Sequence, residues 1–549
     1  MNPSSTLYCV AELRAIEHAA GATLPEGELM RRAGRAGAEA ALALLALPTN
    51  CANRATGANP AAPADPAKPA TVLVLAGPGN NGGDALEVAA HIAAPGCGAA
   101  PARVIVLHCP PSAAQSAERR AAFERATASP AQIVDSGGQA GATSDWRDSE
   151  CSNIDWSSID LVEDGLFGIG LRRPVSGQLA ALVETINTLA CPILALDVPS
   201  GLEADTGAIV GRDGVAIRAS HTITFIGNKP GLHTNDGRDH AGAVAVAPLA
   251  IDAALYPVVQ LQLNAPALFA DRLKARRQNT HKGSYGNVAV IGGAPGMSGA
   301  PILAARTALH GGAGRVYVLF PEQGLAADSG QPELMCRLAD GFDFDQATLV
   351  IGPGLGASST AHDLLARAID SGAPLLADAD ALNLLAATPA LQTALAARPA
   401  PAVLTPHPLE AARLLGVNVA AVQADRVTAA RTLAARLNAV VVLKGSGTVI
   451  AAPDGKCVIN TTGNAALATA GTGDVLSGLC GSLLAQGWPQ WQAALAAVWL
   501  HGAAADDLVA AGVGPIGLTA GELIPAIRTA LNRTVRAQAA ACTTRAPTP

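Results

Sequence analysis

Apolar residues recur three and four apart through residues 8–47, and LMRRAGRAGAEAALALLAL gives a narrow stripe of small side chains; this spacing predicts two helices. A stretch rich in Pro, Ala and Asn follows (48–70) and reads as a loop or insertion. The pattern then changes to short unbroken apolar runs. TVLVLA (71–76), RVIVLH (103–108), LVED (161–164), PILALD (192–197), HTITFIG (221–227) and GAVAVA (242–247) are too short for helices and read as buried strands. Helical spacing separates them at LEVAAHIAA (86–94), up to about Arg125, and over 176–189. Residues 127–158 are polar and aperiodic, which predicts a poorly ordered surface loop.

The second half restarts at HKGSYGNVAVIGGAPGMSGAPILAARTALHGGAGRVYVLF as strand, glycine loop, helix, strand. ATLVIGPGLG (347–356), APLLADADALN (373–383) and AVLTPHPLEAARLLG (402–416) repeat strand, turn and helix, and AVVVLKGSGTVIAA (439–452) adds a strand and a hairpin. Two or three helices follow to about Asn532. This alternation predicts an α/β protein of two domains, each with a parallel sheet in three layers and right-handed crossovers. Residues 253–272 carry no phosphate motif, so the boundary is expected near 262: a first domain over 1–262, a second over 263–535, and a disordered tail over 536–549.

Composition narrows the function. Half of the 549 residues are hydrophobic but only 3% are aromatic, which suits small-residue helices packed on sheets. No run of about 18 apolar residues lacks a charge or a histidine, so no membrane span is expected. The first residues lack a basic region followed by an apolar one, so no signal peptide is read. The net charge of −7 disfavours nucleic acid as a partner. Ten scattered cysteines without a C-x-x-C predict reduced thiols and a cytoplasmic location.

Candidate chemistry centres on NAALATAGTGDVLSG (464–478), where small residues open an apolar helix. Unpaired N–H groups and the helix dipole make such a turn an anion site. Asp474 in its first turn is either an N-cap or a base held beside a phosphate. KGSGT (444–448), after a strand, is a second phosphate-type loop and favours the base. In the first half TVLVLA runs into GPGNNGGDA, the dinucleotide-type arrangement with amide and carboxylate oxygens added. Asp84, Asp164 and Asp197 close three successive strand-like runs, whose ends converge on one crevice in an open α/β sheet.

In order, MRRAGRAGAEA, GPGNNGGDA, EDGLFGIGL, LDVPSGL, NKPGLHTNDGRDHAG, then HKGSYGNVAVIGGAPGMSGA, IGPGLG, DADALN, TPHPLEAARLLG, LKGSGT and TAGTGDVLSG resemble the bifunctional NAD(P)H-hydrate repair enzymes. In that family a Rossmann-like, YjeF-type epimerase domain is fused to a ribokinase-like, ADP-dependent dehydratase domain. The resemblance implies that NADHX and NADPHX, cofactors hydrated at C6, are substrates. R and S epimers are interconverted, and the S form is dehydrated with ADP, releasing AMP and phosphate. By position, Asn80, Asn81, Gly82, Gly83 and Asp84, then Gly168, Ile169, Gly170, Leu171, Arg172, Arg173 and Pro174, would contact the hydrate in the first domain. Asp197 would face it as acid/base, while Asn81, Asp164 and Ser200 would hold K⁺. In the second domain Ala300, Gly354, Gly356 and His407 would line the hydrate pocket. Lys444, Gly445, Ser446, Gly447, Thr448, Asn464, Thr472 and Gly473 would hold ADP with Mg²⁺, and Asp474 would be catalytic. A homo-oligomer is also implied. Ala85, Leu409, Ala465, Ala466 and Ala470 replace the family's usual Gly or Pro, which predicts either ordinary backbone or strain there. The alternative is a ribokinase-like small-molecule kinase with a non-catalytic first domain.

Overall fold

In the computed structural model, residues 4–47, 69–94, 102–110, 115–136, 154–400 and 402–544 are described. The chain divides into two units, Met1–Val259 and Gln260–Pro549. In the first, β1 (Ala70–Ala76), β2 (Ala102–His108), β3 (Gln132–Asp135), β4 (Leu161–Gly165), β5 (Ile193–Leu196), β6 (His221–Phe225) and β7 (Ala243–Ala247) form one sheet, ordered β3-β2-β1-β4-β5-β6-β7. All neighbours are parallel. Alternation along β1 sends Val72 and Val74 to one core, with helices Val10–Gly21, Glu28–Leu45 and Asn80–Ala93. Leu73 and Leu75 enter the other, with helix Gly177–Ile186. The sheet is therefore the middle of three layers. Helix Glu28–Leu45 lies so close to helix Asn80–Ala93 that a Cβ on Gly34 would sit 2.1 Å from Glu87 Cβ, which explains the small residues of RAGRAG.

Three expectations change. β3 lies within 127–158, where only loop was expected; its four residues are an edge strand without a periodic signal. Asn80 begins the helix, so NNGGD is its first turn rather than a loop before it. Of the 48–70 segment, 48–68 fall outside the described residues and Ala70 already belongs to β1.

The second unit holds a sheet ordered β11-β10-β9-β12-β13-β14-β15-β16-β17-β8, with β8 (Leu261–Leu263), β9 (Asn287–Ile291), β10 (Arg315–Phe320), β11 (Met335–Leu338), β12 (Thr348–Ile351), β13 (Leu375–Ala377), β14 (Ala402–Leu404), β15 (Val440–Leu443), β16 (Val449–Ala451) and β17 (Cys457–Ile459). Its neighbours are parallel except β15–β16 and β16–β17, which are antiparallel, in keeping with the hairpin expected over 439–452. The KGSGT turn makes the first of these a hairpin. β8 pairs with β17, and the division between Val259 and Gln260 falls just before it. One face of the sheet packs on helices Gly299–His310, Thr472–Ala485, Gln490–Ala510 and Ala520–Thr544. Gln490–Ala510 is long and apolar enough to cross a membrane, but it is mostly buried in this core. Ala520–Thr544 continues through 536–544, where disorder was expected, and 545–549 lie outside the described residues.

Candidate active sites

The sheet order of the first unit reverses at β1, with β2 on one side and β4 on the other, and a cavity of ≈ 1340 Å³ opens there. Asn80, Asn81, Asp84, Asp197 and the whole run 168–174 line it. Gly82 and Gly83 do not. A Cβ on Gly82 would meet Gly77 O at 1.9 Å, and one on Gly83 would meet Met30. Sequence reading missed Arg14, Glu17, Glu118 and Lys229, which line the same cavity.

Asp197 follows β5 with φ of 68°, a conformation costly for a non-glycine residue, on the order of 1–3 kcal/mol. Its Oδ1 is 2.7 Å from Lys229 Nζ and accepts from Phe225 N at 3.2 Å. Lys229 is 1% exposed and also donates to Thr224 Oγ1 and the Phe225 and Gly227 carbonyls, so it serves as a fixed anchor. Burial first, then the charges of Asp197 and Glu17, push the Asp84 carboxyl well above its usual range. Glu17 is raised by burial and by Asp197. The cavity thus places Asp84, its carboxyl pushed upward by burial and by like charges, near the Asp197 that is paired with Lys229.

Asp164 is fully buried behind this wall. It accepts from Ser200 Oγ at 2.6 Å, Ser200 N at 2.8 Å and Leu166 N at 3.2 Å. Burial raises its pKa to about 6 against these bonds. Asn81 donates to Leu196 O, while its buried Oδ1 has no partner among the described residues. The three expected cation ligands therefore lie at the ends of β1, β4 and β5, which are adjacent in the sheet.

In the second unit the residues that follow β13 and β15, Asp378 and Lys444, reach the start of helix Thr472–Ala485. Gly354 O accepts from Gly293 N and Ala294 N, and a Cβ on Gly354 would stand 3.4 Å from Ala300 Cβ, so Ala300 and Gly354 adjoin. Gly356 N donates to Asp380 Oδ2 at 2.9 Å. His407 caps helix Pro408–Leu415 through Nδ1, and Glu410 accepts from His407 N at 2.7 Å. His407 Nε2 lies 3.2 Å from Glu410 Oε1, so both ring nitrogens are engaged at the helix start.

Gly471, with φ of 89°, turns the chain into the helix carrying Gly473 and Asp474. Thr472 spends its hydroxyl on the Leu467 and Thr469 carbonyls, and His501 Nε2 bonds the Thr472 carbonyl. Asn464 is tied to Asp506, which also accepts from Gly463 N. Lys444 Nζ lies 3.3 Å from where a Cβ on Gly473 would stand. It is paired with Asp378 at 2.7 Å. Behind its loop the buried Arg426 donates to the Leu443 and Lys444 carbonyls. Within KGSGT, Thr448 Oγ1 donates to Gly445 O, with Ser446 and Gly447 between them. Burial, then Asp378 and Asp380, against Lys444, raise Asp474 to about 6. Burial works against the Lys444 charge, yet Asp378 and Glu410 carry its pKa above the ordinary value. Asp378 and Asp380, both within DADALN, are brought to this site by the fold and carry no role expected from sequence. Among the described residues, Ala85, Leu409, Ala465, Ala466 and Ala470 are not among those with positive φ, so these replacements sit on ordinary backbone.

The first unit thus holds a cavity lined by carboxylates, and the second holds Asp474, raised to about 6, in the first turn of a helix beside Lys444. A family model described as NAD(P)H-hydrate dehydratase matches residues 288–528, and one described as YjeF-related protein N-terminus matches 26–231. A bifunctional NAD(P)H-hydrate repair enzyme Nnr of Escherichia coli is 39% identical, covering 84% of this chain and 85% of its own. An ADP-dependent (S)-NAD(P)H-hydrate dehydratase of Neisseria meningitidis is 47% identical over 50% of this chain and 94% of its own. A solved ADP/ATP-dependent NAD(P)H-hydrate dehydratase of Bacillus subtilis, co-crystallized with ATP/Mg²⁺, is 31% identical, covers 49% of this chain and 97% of its own, and has a TM-score of 0.42. With both halves matched in order and a relative aligned along most of its length, this chain belongs to the bifunctional NAD(P)H-hydrate repair enzymes.

Proposed function

We propose that the second unit dehydrates the S hydrate with ADP and that Asp474 is its base. The supporting observation is the position of Asp474 at a helix N-terminus beside Lys444, with its pKa raised to about 6. Such a carboxylate is mostly ionised at neutral pH, yet basic enough to take a proton. Asp474 removes the C6 hydroxyl proton while that oxygen attacks the terminal phosphoryl of ADP. The new O–P bond replaces the bridging one, and AMP leaves. Hydroxide is a poor leaving group and phosphate a good one. The ring-nitrogen lone pair then expels phosphate, and loss of the C5 proton restores the double bond. N–H groups of the first turn and Lys444 stabilise the charge on the phosphoryl oxygens. Ala300, Gly354 and Gly356 form the wall on which the hydrate would rest.

Among the described residues no cluster of three His, Cys, Asp or Glu side chains forms a metal cage. Mg²⁺ would therefore enter with the nucleotide phosphates, as this ion commonly does, and neutralise their charge. In the first unit we assign hydrate contact to Asn80, Asn81, Asp84 and the 168–174 loop, and acid/base work to Asp197 through a water. The orphan Asn81 Oδ1 fits a monovalent cation with Asp164, Ser200 and main-chain carbonyls. K⁺ there would fix the loop ends more than polarise substrate. A homo-oligomer and a cytoplasmic location complete the proposal; light scattering tests the former and fractionation the latter.

Incubating the protein with hydrated NADH, ADP and Mg²⁺ tests the reaction. Recovery of reduced-cofactor absorbance with release of AMP and phosphate supports it. A stable phosphorylated product without cofactor recovery would instead establish the kinase reading.

A further inference from the structure

Asp378 closes β13 and is 1% exposed. Its Oδ1 accepts from Ala379 N at 2.9 Å and Lys444 Nζ at 2.7 Å, and its Oδ2 accepts from Ser477 Oγ at 2.5 Å. These bonds leave it poorly placed to take a substrate proton. They instead join three separate pieces of the site: the end of β13, the lysine that opens KGSGT, and the helix bearing Asp474. Ser477 stands three residues after Asp474, so the two share one face of that helix. The next residue, Ala379, has φ of 50°. A non-glycine residue persists there only when its surroundings hold it, and its N–H is bonded to Asp378. This turn also delivers Asp380 to Gly356 N.

We propose that Asp378 is a positioning residue for dehydration, clamping Lys444 and the Asp474 helix in one arrangement and fixing the charge that Asp474 faces. The inference rests on the reading of Asp474 as base. The charged groups around it are consistent. Asp378 and Asp380 reach Asp474 from the end of β13 and Lys444 from the end of β15. Glu410 on helix Pro408–Leu415 acts on Lys444, and Lys444 acts on His407 and on the buried His501. Without the Asp378 charge, Asp474 loses a like-charged neighbour and gains the freed ammonium of Lys444. Both changes favour the ionised form. A Lys444 freed from its clamp also leaves the place where the phosphoryl group develops charge.

The test compares Asp378→Asn, Asp378→Glu, Ser477→Ala and Asp474→Asn in the full chain, with epimerisation as the internal control of folding. Asp378→Asn is expected to lower kcat for dehydration by about tenfold or more, with KM for the hydrate within about threefold. Its acidic limb should move down by about one pH unit. Asp378→Glu should leave that limb near its wild-type position, and Ser477→Ala should lower kcat without moving it. NMR titration of the Asp474 carboxyl gives the same shift without turnover. Wild-type kcat in Asp378→Asn, or an Asp474 titration unmoved by it, overturns the proposal. Full dehydration by Asp474→Asn overturns the reading of the base itself, and is a separate result.

Discussion

Asp474 and Glu163 are both raised by burial, with opposite consequences. Asp474 works as a base only when ionised. The kcat/KM for dehydration should therefore fall as pH drops through about 6 and level off above it, as a kcat/KM–pH profile would record. Glu163, on β4, is fully buried, and neither oxygen has a partner among the described residues. Its pKa is driven well above the ordinary carboxylate value by burial alone. Below the unfolded value the group is neutral in both states and costs nothing through ionisation. As pH rises past that value only the unfolded chain ionises, so stability falls. Glu163→Met should raise the unfolding midpoint of the first unit more at pH 8 than at pH 4.5. The unpaired group itself should account for about 1–3 kcal/mol of that gain. An equal shift at both pH values in thermal unfolding would contradict this.

Elements formed by unbroken apolar runs were legible from sequence. β1, β2, β4, β5 and β6 lie where TVLVLA, RVIVLH, LVED, PILALD and HTITFIG stand. Strands of three or four residues at the sheet margins, β3, β8, β11 and β17, carry too few positions for a period to show. The start of helix Asn80–Ala93 was hidden for another reason. Asn-Asn-Gly-Gly is poor helix sequence, and packing rather than propensity makes it helical. The candidate bases Asp197 and Asp474 were legible because each ends a strand or opens a helix. Their fixing partners were not: Lys444 and Asp378 stand 66 residues apart, and only the fold joins them. Lys229 stands in NKPGLHTNDGRDHAG, yet only its complete burial identifies it as an anchor. At this scale Lys229→Met should leave Asp197 unpaired in a strained turn and lower the epimerisation rate by about tenfold or more, with dehydration unchanged. Arg426→Lys removes the planar fork behind KGSGT, so KM for ADP should rise several-fold while kcat changes less.

For the whole molecule, the two units carry separate chemistry on one chain, each with its own cradle at the carboxyl ends of its strands. The first would supply the epimer that the second consumes. Asp197→Asn should slow conversion of pure R hydrate while leaving S hydrate repaired at the wild-type rate. The central claim is that Asp474 makes the phosphoryl transfer possible. Its most direct test gives Asp474→Asn pure S hydrate with ADP and follows recovered reduced cofactor, while R-to-S conversion is followed in the same preparation. The account predicts a loss of dehydration of about 100-fold or more with epimerisation intact; dehydration at the wild-type rate in that variant would contradict it.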